Sequence, residues 1–272
     1  VQQSPKSPPG GTGASIAALY HYPVKGLSPQ PLTEVGLRPG QGFPDDRIYA
    51  LARAAGKYVP NTAQNLGKRN FHVLARDFAL AGLRSHYDSS TRTITLARPQ
   101  RDGGEVVHAD LSTPAGRDRL ASTVAELLGL AWDDVPVVAH EPGRCFPDLL
   151  SKGDEEAQAV SIINLASVRE LSRIAGTEVN PLRFRANIYL DGLPPWAERQ
   201  LQGGFLRAGG ARLEVFQEIG RCPATEVDPV SSRRDLPVLQ LLHDAFGHTN
   251  MGVYAQVRTA GTLTEGTAVV PE

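Results

Sequence analysis

Along this chain, apolar positions alternate over short runs more often than they recur at helical spacing. SIAALYHY (15–22) is an apolar run stopped by Pro23 and reads as a strand. PLTEVGLRPG (31–40) alternates through Leu32, Val35 and Leu37 and ends in a Pro-Gly turn. RIYALAR (47–53) sets Ile48, Ala50 and Ala52 on one face and Arg47, Tyr49, Leu51 and Arg53 on the other. AGLRSHYD and TRTITLAR, either side of a Ser-Ser pair in 81–98, predict a hairpin. There Ile94 and Leu96 lie between Thr91, Thr93 and Thr95. VPVVAH (135–140), RANIYLDG (185–192), RLEVFQEIG (212–220) and GVYAQVRTAG (252–261) complete the predicted strands, with TAVVPE as a strand-like tail.

Three segments break the alternation. STPAGRDRLASTVAELLGL predicts a helix capped by Ser112 or Thr113, with Pro114 in its first turn. Its apolar stripe is Leu120, Val124, Leu127 and Leu128, and Gly129 ends it. A second helix runs from about Leu165 to Ala175, capped by Asn164, with Val168, Leu171 and Ile174 inward and Gly176 past its end. LPVLQLLHDAFG (236–247) predicts a third, short one. The fold class is therefore α+β and strand-rich, barrel-like in its antiparallel part. VQQSPKSPPGGTG (1–13) has almost nothing to bury and reads as a disordered leader.

Composition narrows the function classes. A length of 272 residues is enough for a sizeable core. The net charge of −1 gives no electrostatic case for nucleic acid or an anionic membrane as partner. No apolar run approaches the roughly 18 residues of a membrane span. With two cysteines and no CxxC spacing, neither a disulfide framework nor a zinc site is indicated, and the expected compartment is the cytoplasm. No GxGxxG follows a strand, and GxxxxGK[ST], HExxH and GxSxG are absent, so nucleotide-cradling loops, zinc proteases and hydrolase elbows have no support.

The remaining chemistry sits on a few side chains. Cys222 and Cys145 both lie in Gly-Arg-Cys triplets followed by proline. A neighbouring arginine favours a thiolate, the form that binds metals and attacks electrophiles, whereas a lone cysteine is ordinarily a small buried hydrophobe. GRCFPDLLSKGDEEA reads as an exposed loop, with Cys145 a surface or half-buried thiol; EIGRCPATEVDP puts Cys222 in the loop after a strand. Arg183 and Arg185 are two apart in NPLRFRANIYLDG, so on an extended segment their guanidinium forks share a face suited to a phosphate, or to solvent. Lys25, after an apolar strand and before Gly26, either meets an anion or is simply solvated.

YPVKG (22–26), DDRIYALA (45–52), NPLRFRANIYLDG (180–192), GRCPATEVDP (220–229) and FGHTNMGVYAQV (246–257), in that order, resemble proteins with a MOSC domain. That domain is named for the C-terminal domain of molybdenum cofactor sulfurase. The group includes the mitochondrial amidoxime-reducing component and bacterial reductases of hydroxylamine-type compounds. The resemblance covers nearly all of 14–272. It implies a MOSC β-barrel core over 111–272 with an N-terminal antiparallel β-barrel subdomain over 14–110. It implies a molybdenum cofactor (Mo-molybdopterin) between the halves, with Cys222 as catalytic residue and metal ligand. Lys25, Arg47, Arg185, Asn187 and Tyr254 would be the cofactor-binding positions. The implied reaction is reduction of N-hydroxylated small molecules by N–O cleavage, with oxygen transfer to molybdenum. Electrons would come from a separate protein, a flavin reductase or ferredoxin.

Departures from the family pattern leave other readings open. Gly26 and Gly220 stand where the reductases often carry serine, and Ala186 and Glu226 replace a proline and a threonine. Glu226 either faces substrate, changing its charge preference, or faces solvent, and Asp228 is expected to serve a turn. The alternative functions are a sulfur carrier or cofactor-binding module with a persulfide on Cys222, or a biosynthetic enzyme reusing the fold.

Overall fold

Val160–Asn164 is the strand around which the molecule is arranged, and all five of its residues are buried. Alternation explains how. Val160 and Ile162 enter one apolar cluster with Ile188, Leu190, Val253 and Ala255, while Ile163 enters another with Tyr189, Val168, Leu171 and Leu242. A strand buried on both faces needs residues that can leave water at every position; Val160, Ile162 and Ile163 are apolar, and the polar Ser161 is satisfied by donating from N and Oγ to Asn187 Oδ1. The computed structural model describes residues 13–97 and 106–272. All of the expected leader except Gly13 lies outside the described residues, as does Arg98 at the end of the expected hairpin.

Eight strands form one sheet in the order Val269–Pro271, Phe205–Ala208, Ala211–Gly220, Asn250–Thr259, Val160–Asn164, Ile188–Asp191, Ser15–His21, Gln30–Leu32. Only Val160–Asn164 and Ile188–Asp191 run parallel, joined through the helix Leu165–Ala175 packed over one face. The first strands of the chain thus share a sheet with the last. The fold is strand-rich α+β, as expected. A closed barrel is not seen: the strand ladder is open. The start of the strand Ser15–His21 meets the segment before Val269–Pro271 at the bridge Ser15↔Ala268, with Ile16 N donating to Thr267 O, Gly266 N to Ile16 O and Val269 N to Ala14 O. The alternating pattern sets which face is buried but carries no information on whether the ends of a sheet pair.

Three smaller sheets surround it: Glu34–Leu37 with Gly261–Thr264, Tyr49–Ala52 with Val137–His140, and Arg84–Asp88, Thr93–Ala97 and Val106–Asp110 in line. Tyr49–Ala52 keeps its predicted alternation, yet both faces are buried, Tyr49 and Leu51 in one cluster and Ala50 and Ala52 in another. The hairpin turn is longer than the Ser-Ser pair. Asp88 pairs with Thr93, and the Asp88 carboxylate accepts from Ser90 N at 2.8 Å while Arg92 takes φ 56°. An aspartate that satisfies its own turn lengthens it.

The helices form where predicted. Thr113 caps Pro114–Leu128 by accepting from Gly116 N, and Gly129 ends it in the left-handed region. Asn164 caps Leu165–Ala175 through Ala166 N, and Gly176 closes it. The third runs Val238–Phe246. Among the described residues no helix is long and apolar enough to cross a membrane.

Because Ile162 is fully buried at the centre of the sheet, Ile162→Ala should cost about 2–5 kcal/mol through the cavity it leaves. Urea unfolding should show a clearly lowered midpoint; an unchanged midpoint would contradict this account of the core.

Candidate functional site

Two short segments are zipped together beside the sheet. Arg47 N donates to Tyr22 O at 2.8 Å, Tyr49 N to Pro23 O at 3.0 Å and Lys25 N to Tyr49 O at 2.8 Å. Pro23 has no N–H to offer, so this pairing uses its carbonyl. Arg47 sits in the left-handed region at φ 53°, a costly place for a residue with a Cβ. Asp46 holds it there: its carboxylate accepts from Tyr22 N at 2.8 Å and pairs with the Arg47 guanidinium.

The expected strand pairing of Arg183 and Arg185 does not occur. Pro181–Phe184 is a 3-10 turn, started by proline and capped by the Asn180 side chain on Leu182 N, and Arg185 leaves it in the left-handed region at φ 50°. The strand begins only at Ile188. The proline and the Asx cap outweigh the apolar alternation that suggested extension. Arg183 has carboxylate partners, Asp228 at 3.1 Å and Asp235 at 2.7 Å, and donates to the Glu226 carbonyl at 3.1 Å, leaving only Nε buried and unpartnered. It fastens the loop that follows Cys222.

Between these pieces lies a cleft of about 920 Å³, its open mouth included. Lys25, Arg47, Arg185, Asn187, Cys222 and Tyr254, scattered over the sequence, all line it. Cys222 stands two residues past the strand Ala211–Gly220, whose ladder is irregular between Glu218 and Gly220. Arg221 N donates to Thr249 O at 3.0 Å, and the Cys222 carbonyl accepts from Thr225 N and Thr225 Oγ1, both at 3.0 Å. The backbone on both sides of the thiol is therefore fixed, and Lys68 is a cation near enough to interact with it.

Charge is concentrated here. Lys25 is buried, its Nζ donating to Phe146 O at 2.9 Å and to Asp148 Oδ1 at 2.6 Å. Burial lowers its pKa, against the attraction of Asp148. Burial works to raise the Asp148 carboxyl, but Lys25 and then Lys68 outweigh it and hold it well below the usual carboxylate range. For Lys68, burial is likewise outweighed by Asp148 and Cys222, and its pKa is raised.

Two further cations have no carboxylate partner among the described residues. Arg185 donates to Leu27 O at 2.8 Å and leaves Nη2 buried without a partner. Burial, with repulsion from Arg47, pushes its pKa down to about 10. Arg221 spends Nε on Met251 O at 2.7 Å and Nη1 on Phe184 O at 3.0 Å, and its Nη2 is also buried and unpartnered. Burial lowers its pKa as well. Gly252 makes room for it: at φ +75°, an added Cβ would lie 2.5 Å from Ile162 O and 2.9 Å from Arg221 Nη2.

The other candidates divide. The Asn187 amide is largely spent on structure: Oδ1 accepts from Ser161 N at 3.1 Å and Oγ at 2.7 Å, and Nδ2 donates to Tyr20 O at 3.2 Å. Tyr254 stacks on Phe216 with ring centroids 6.3 Å apart, and burial raises its pKa. Glu226 pairs with Arg234 at 3.2 Å and does not line the cleft. Asp228 serves the expected turn, accepting from Val230 N and Ser231 N. Cys145 is not in an exposed loop. It is half-buried, donates its thiol to Ala157 O at 3.1 Å, and burial raises its pKa to about 12. Both cysteines are free.

Sequence reasoning did not single out Lys68 or Asp148. Nothing in LGKRN or FPDLL sets them apart; only the fold brings them to Cys222 and Lys25. Arg221 was visible as the neighbour of the cysteine, but its guanidinium turns to the carbonyls of Phe184 and Met251. Among the described residues no three His, Cys, Asp or Glu side chains are grouped to hold a metal ion. A metal at Cys222 would need its remaining ligands from a cofactor.

Thiol reagents act on the thiolate. With its pKa near 12, Cys145 stays protonated from pH 7 to 9. Alkylation of the native protein at pH 8, read by peptide mass mapping, should modify Cys222 well before Cys145; equal labelling would contradict the placement. Gly252→Ala should cost about 1–3 kcal/mol from backbone strain and displace Arg221. Urea unfolding checks the first effect, and an unaltered midpoint would contradict it.

The family description "MOSC domain" matches residues 148–270. Over 252 residues the chain is 23% identical to "Molybdenum cofactor sulfurase" of Caenorhabditis briggsae, covering 88% of this chain and 33% of that protein. It is 36% identical over 97 residues to "Molybdenum cofactor sulfurase" of Caenorhabditis elegans, covering 34% of this chain and 13% of that protein. The chain thus spans about a third or less of the length of these relatives. Among solved structures it is similar to the YUAD protein from Bacillus subtilis, with TM-score 0.41 and 12% identity over 94% of this chain and 93% of the other. YiiM from Geobacillus stearothermophilus gives TM-score 0.33 and 21% identity over 42% of this chain and 53% of the other.

Proposed function

Residues 148–270 match the MOSC domain family, and from that likeness we propose that the cleft holds a molybdenum–pterin cofactor used to reduce N-hydroxylated small molecules. The observation that carries the reading is the pairing of a fixed thiol with two guanidiniums that have no carboxylate. Arg185 and Arg221 each leave a buried donor unspent, and both line the cleft that Cys222 opens onto. A buried cation without a counter-ion is costly unless an anion completes it. A phosphate monoester is a dianion, which matches the two uncompensated charges, and guanidinium forks are suited to its oxygens.

The residues present therefore fit such a group. Arg185, Arg221, Arg47 and Lys25 would hold its phosphate end, Cys222 would ligate the metal as a soft thiolate, and Tyr254 and the remaining Nδ2 hydrogen of Asn187 would face the ring system. When bound, the group supplies a two-electron redox centre. The chain's own part is to bind, orient and keep water out. Val73, Leu74, Leu149 and Ile219 wall the cleft with apolar surface, and Lys68, partly exposed, can hold a proton at Nζ beside Cys222.

Reducing an N–OH group to N–H consumes two electrons and two protons and releases water. In this reading the electrons come from a separate redox protein, a flavin reductase or ferredoxin. The names of the nematode relatives favour one second reading. There Cys222 carries sulfur as a persulfide, and the cleft binds the cofactor without turnover.

The reading is tested by expression in molybdate-supplemented medium, metal analysis, and benzamidoxime reduction with a chemical reductant as electron source. It expects close to stoichiometric molybdenum, benzamidine as product, and loss of turnover in Cys222→Ser. Arg185→Met should lower the metal content severalfold. Benzamidoxime reduction by metal-free protein, or unaffected by Cys222→Ser, would overturn it. Bound molybdenum without turnover, together with a sulfur adduct on Cys222 by intact mass, would favour the carrier.

A further inference from the structure

Tyr22 is fully buried, and the Arg47 and Arg185 guanidinium carbons lie 4.7 Å and 4.3 Å from its ring centroid. Its hydroxyl donates to Ala186 O at 3.0 Å, and its backbone N–H and carbonyl engage Asp46 and Arg47 N. The ring is anchored at both ends. Both arginines reach it from left-handed backbone, φ 53° and φ 50°, and Arg47 also donates to the Arg185 carbonyl at 3.0 Å. Asp46 pairs with Arg47, but no carboxylate pairs with Arg185 among the described residues. Two like charges are thus gathered round one aromatic ring with one acid between them.

From this arrangement we propose that Tyr22 is a positioning residue for the cleft's anion site. The electron-rich faces of its ring hold the Arg47 and Arg185 guanidiniums in place, aimed at a phosphate before one binds. The inference rests on the reading of the cleft as an anion-binding cofactor site. It goes beyond that reading by assigning the preorganisation to a side chain that does not line the cleft. The physics is direct. A guanidinium within about 6 Å of an aromatic centroid is attracted by the ring quadrupole, most strongly where water is excluded. Repulsion between Arg47 and Arg185 works to spread them apart, and the shared ring opposes it. A site whose donors are already in place loses less freedom when its ligand arrives. Packing alone would need only a side chain of the same shape.

The experiment separates the ring's charge distribution from its shape. Position 22 is replaced by phenylalanine and then by mono-, di- and trifluorinated phenylalanines, which keep the ring's outline while draining its face of electron density. The probe is inorganic phosphate, with binding measured by calorimetry on wild type and each variant, and the molybdenum content of each is determined alongside. Urea midpoints serve as the folding control. The proposal expects phosphate affinity to fall stepwise with fluorination, by roughly three- to tenfold over the series. Molybdenum content should follow the same order while the urea midpoints stay close to that of Tyr22→Phe.

Equal phosphate affinity across the fluorinated series would overturn the proposal and leave the cofactor reading standing. An affinity loss that only tracks a falling urea midpoint would overturn it too, as a packing effect. Wild-type protein that binds no phosphate and takes up no molybdenum would overturn both.

Discussion

The organisation of this molecule depends on positive charge buried without enough negative charge to balance it. Lys25, Arg47, Arg183, Arg185 and Arg221 all line one cleft. Each of the first three has a carboxylate: Asp148, Asp46, and the pair Asp228 and Asp235. Arg185 and Arg221 have no carboxylate among the described residues, only backbone carbonyls and the rings of Tyr22 and Phe184. An isolated buried charge is among the costliest features a fold can carry. Here it is sustained by a sheet packed on both faces and by left-handed turns held in place by several hydrogen bonds each. The strain and the unspent donors converge on the same space, as expected where a site is preorganised for a charged ligand.

That constraint explains the local oddities. Gly252 is glycine because a Cβ would strike Ile162 O and the Arg221 guanidinium. Arg183, though it lines the cleft, pairs with Asp228 and Asp235 and anchors the loop after Cys222. Lys68, Asp148 and Lys25 form a chain from the rim inward that ends at the Phe146 carbonyl, with the Lys68 charge acting on the thiol at its outer end. The pKa of Arg185, lowered to about 10 by burial and by Arg47, gives the same imbalance as a linkage. The unfolded chain binds this proton more tightly, so the cost is fully present at neutral pH and is relieved only above about pH 10.

Much of this could be read from residues alone, for identifiable reasons. Helix boundaries were legible because capping is local: Thr113, Asn164, Gly129 and Gly176 announce themselves within a turn. Strands were legible where one face or both needed apolar residues. The six candidate side chains were reached through a resemblance of motifs, and the fold brings all six to one cleft. What could not be read was long-range or conformational. Arg185 lies in a left-handed turn because proline and an Asx cap precede it, and periodicity does not report that. Lys68 and Asp148 are 80 positions apart, and nothing near either one signals the other. The burial of Cys145 followed from Phe71, Phe146 and Ala157 closing round it, although its own segment looked polar. The open sheet edge was equally beyond a pattern that reports faces only.

The central claim is that Arg185 is a liability to the empty protein and an asset to the anion-bound one. Urea unfolding of wild type and Arg185→Met, with and without inorganic phosphate, tests it directly. The account predicts that in phosphate-free buffer the variant is at least as stable as wild type, since it removes a buried charge that lacks a partner. It also predicts that phosphate raises the wild-type midpoint by binding the folded state and leaves the variant's unchanged. A variant much less stable without phosphate, together with a wild-type midpoint that phosphate does not move, would contradict it.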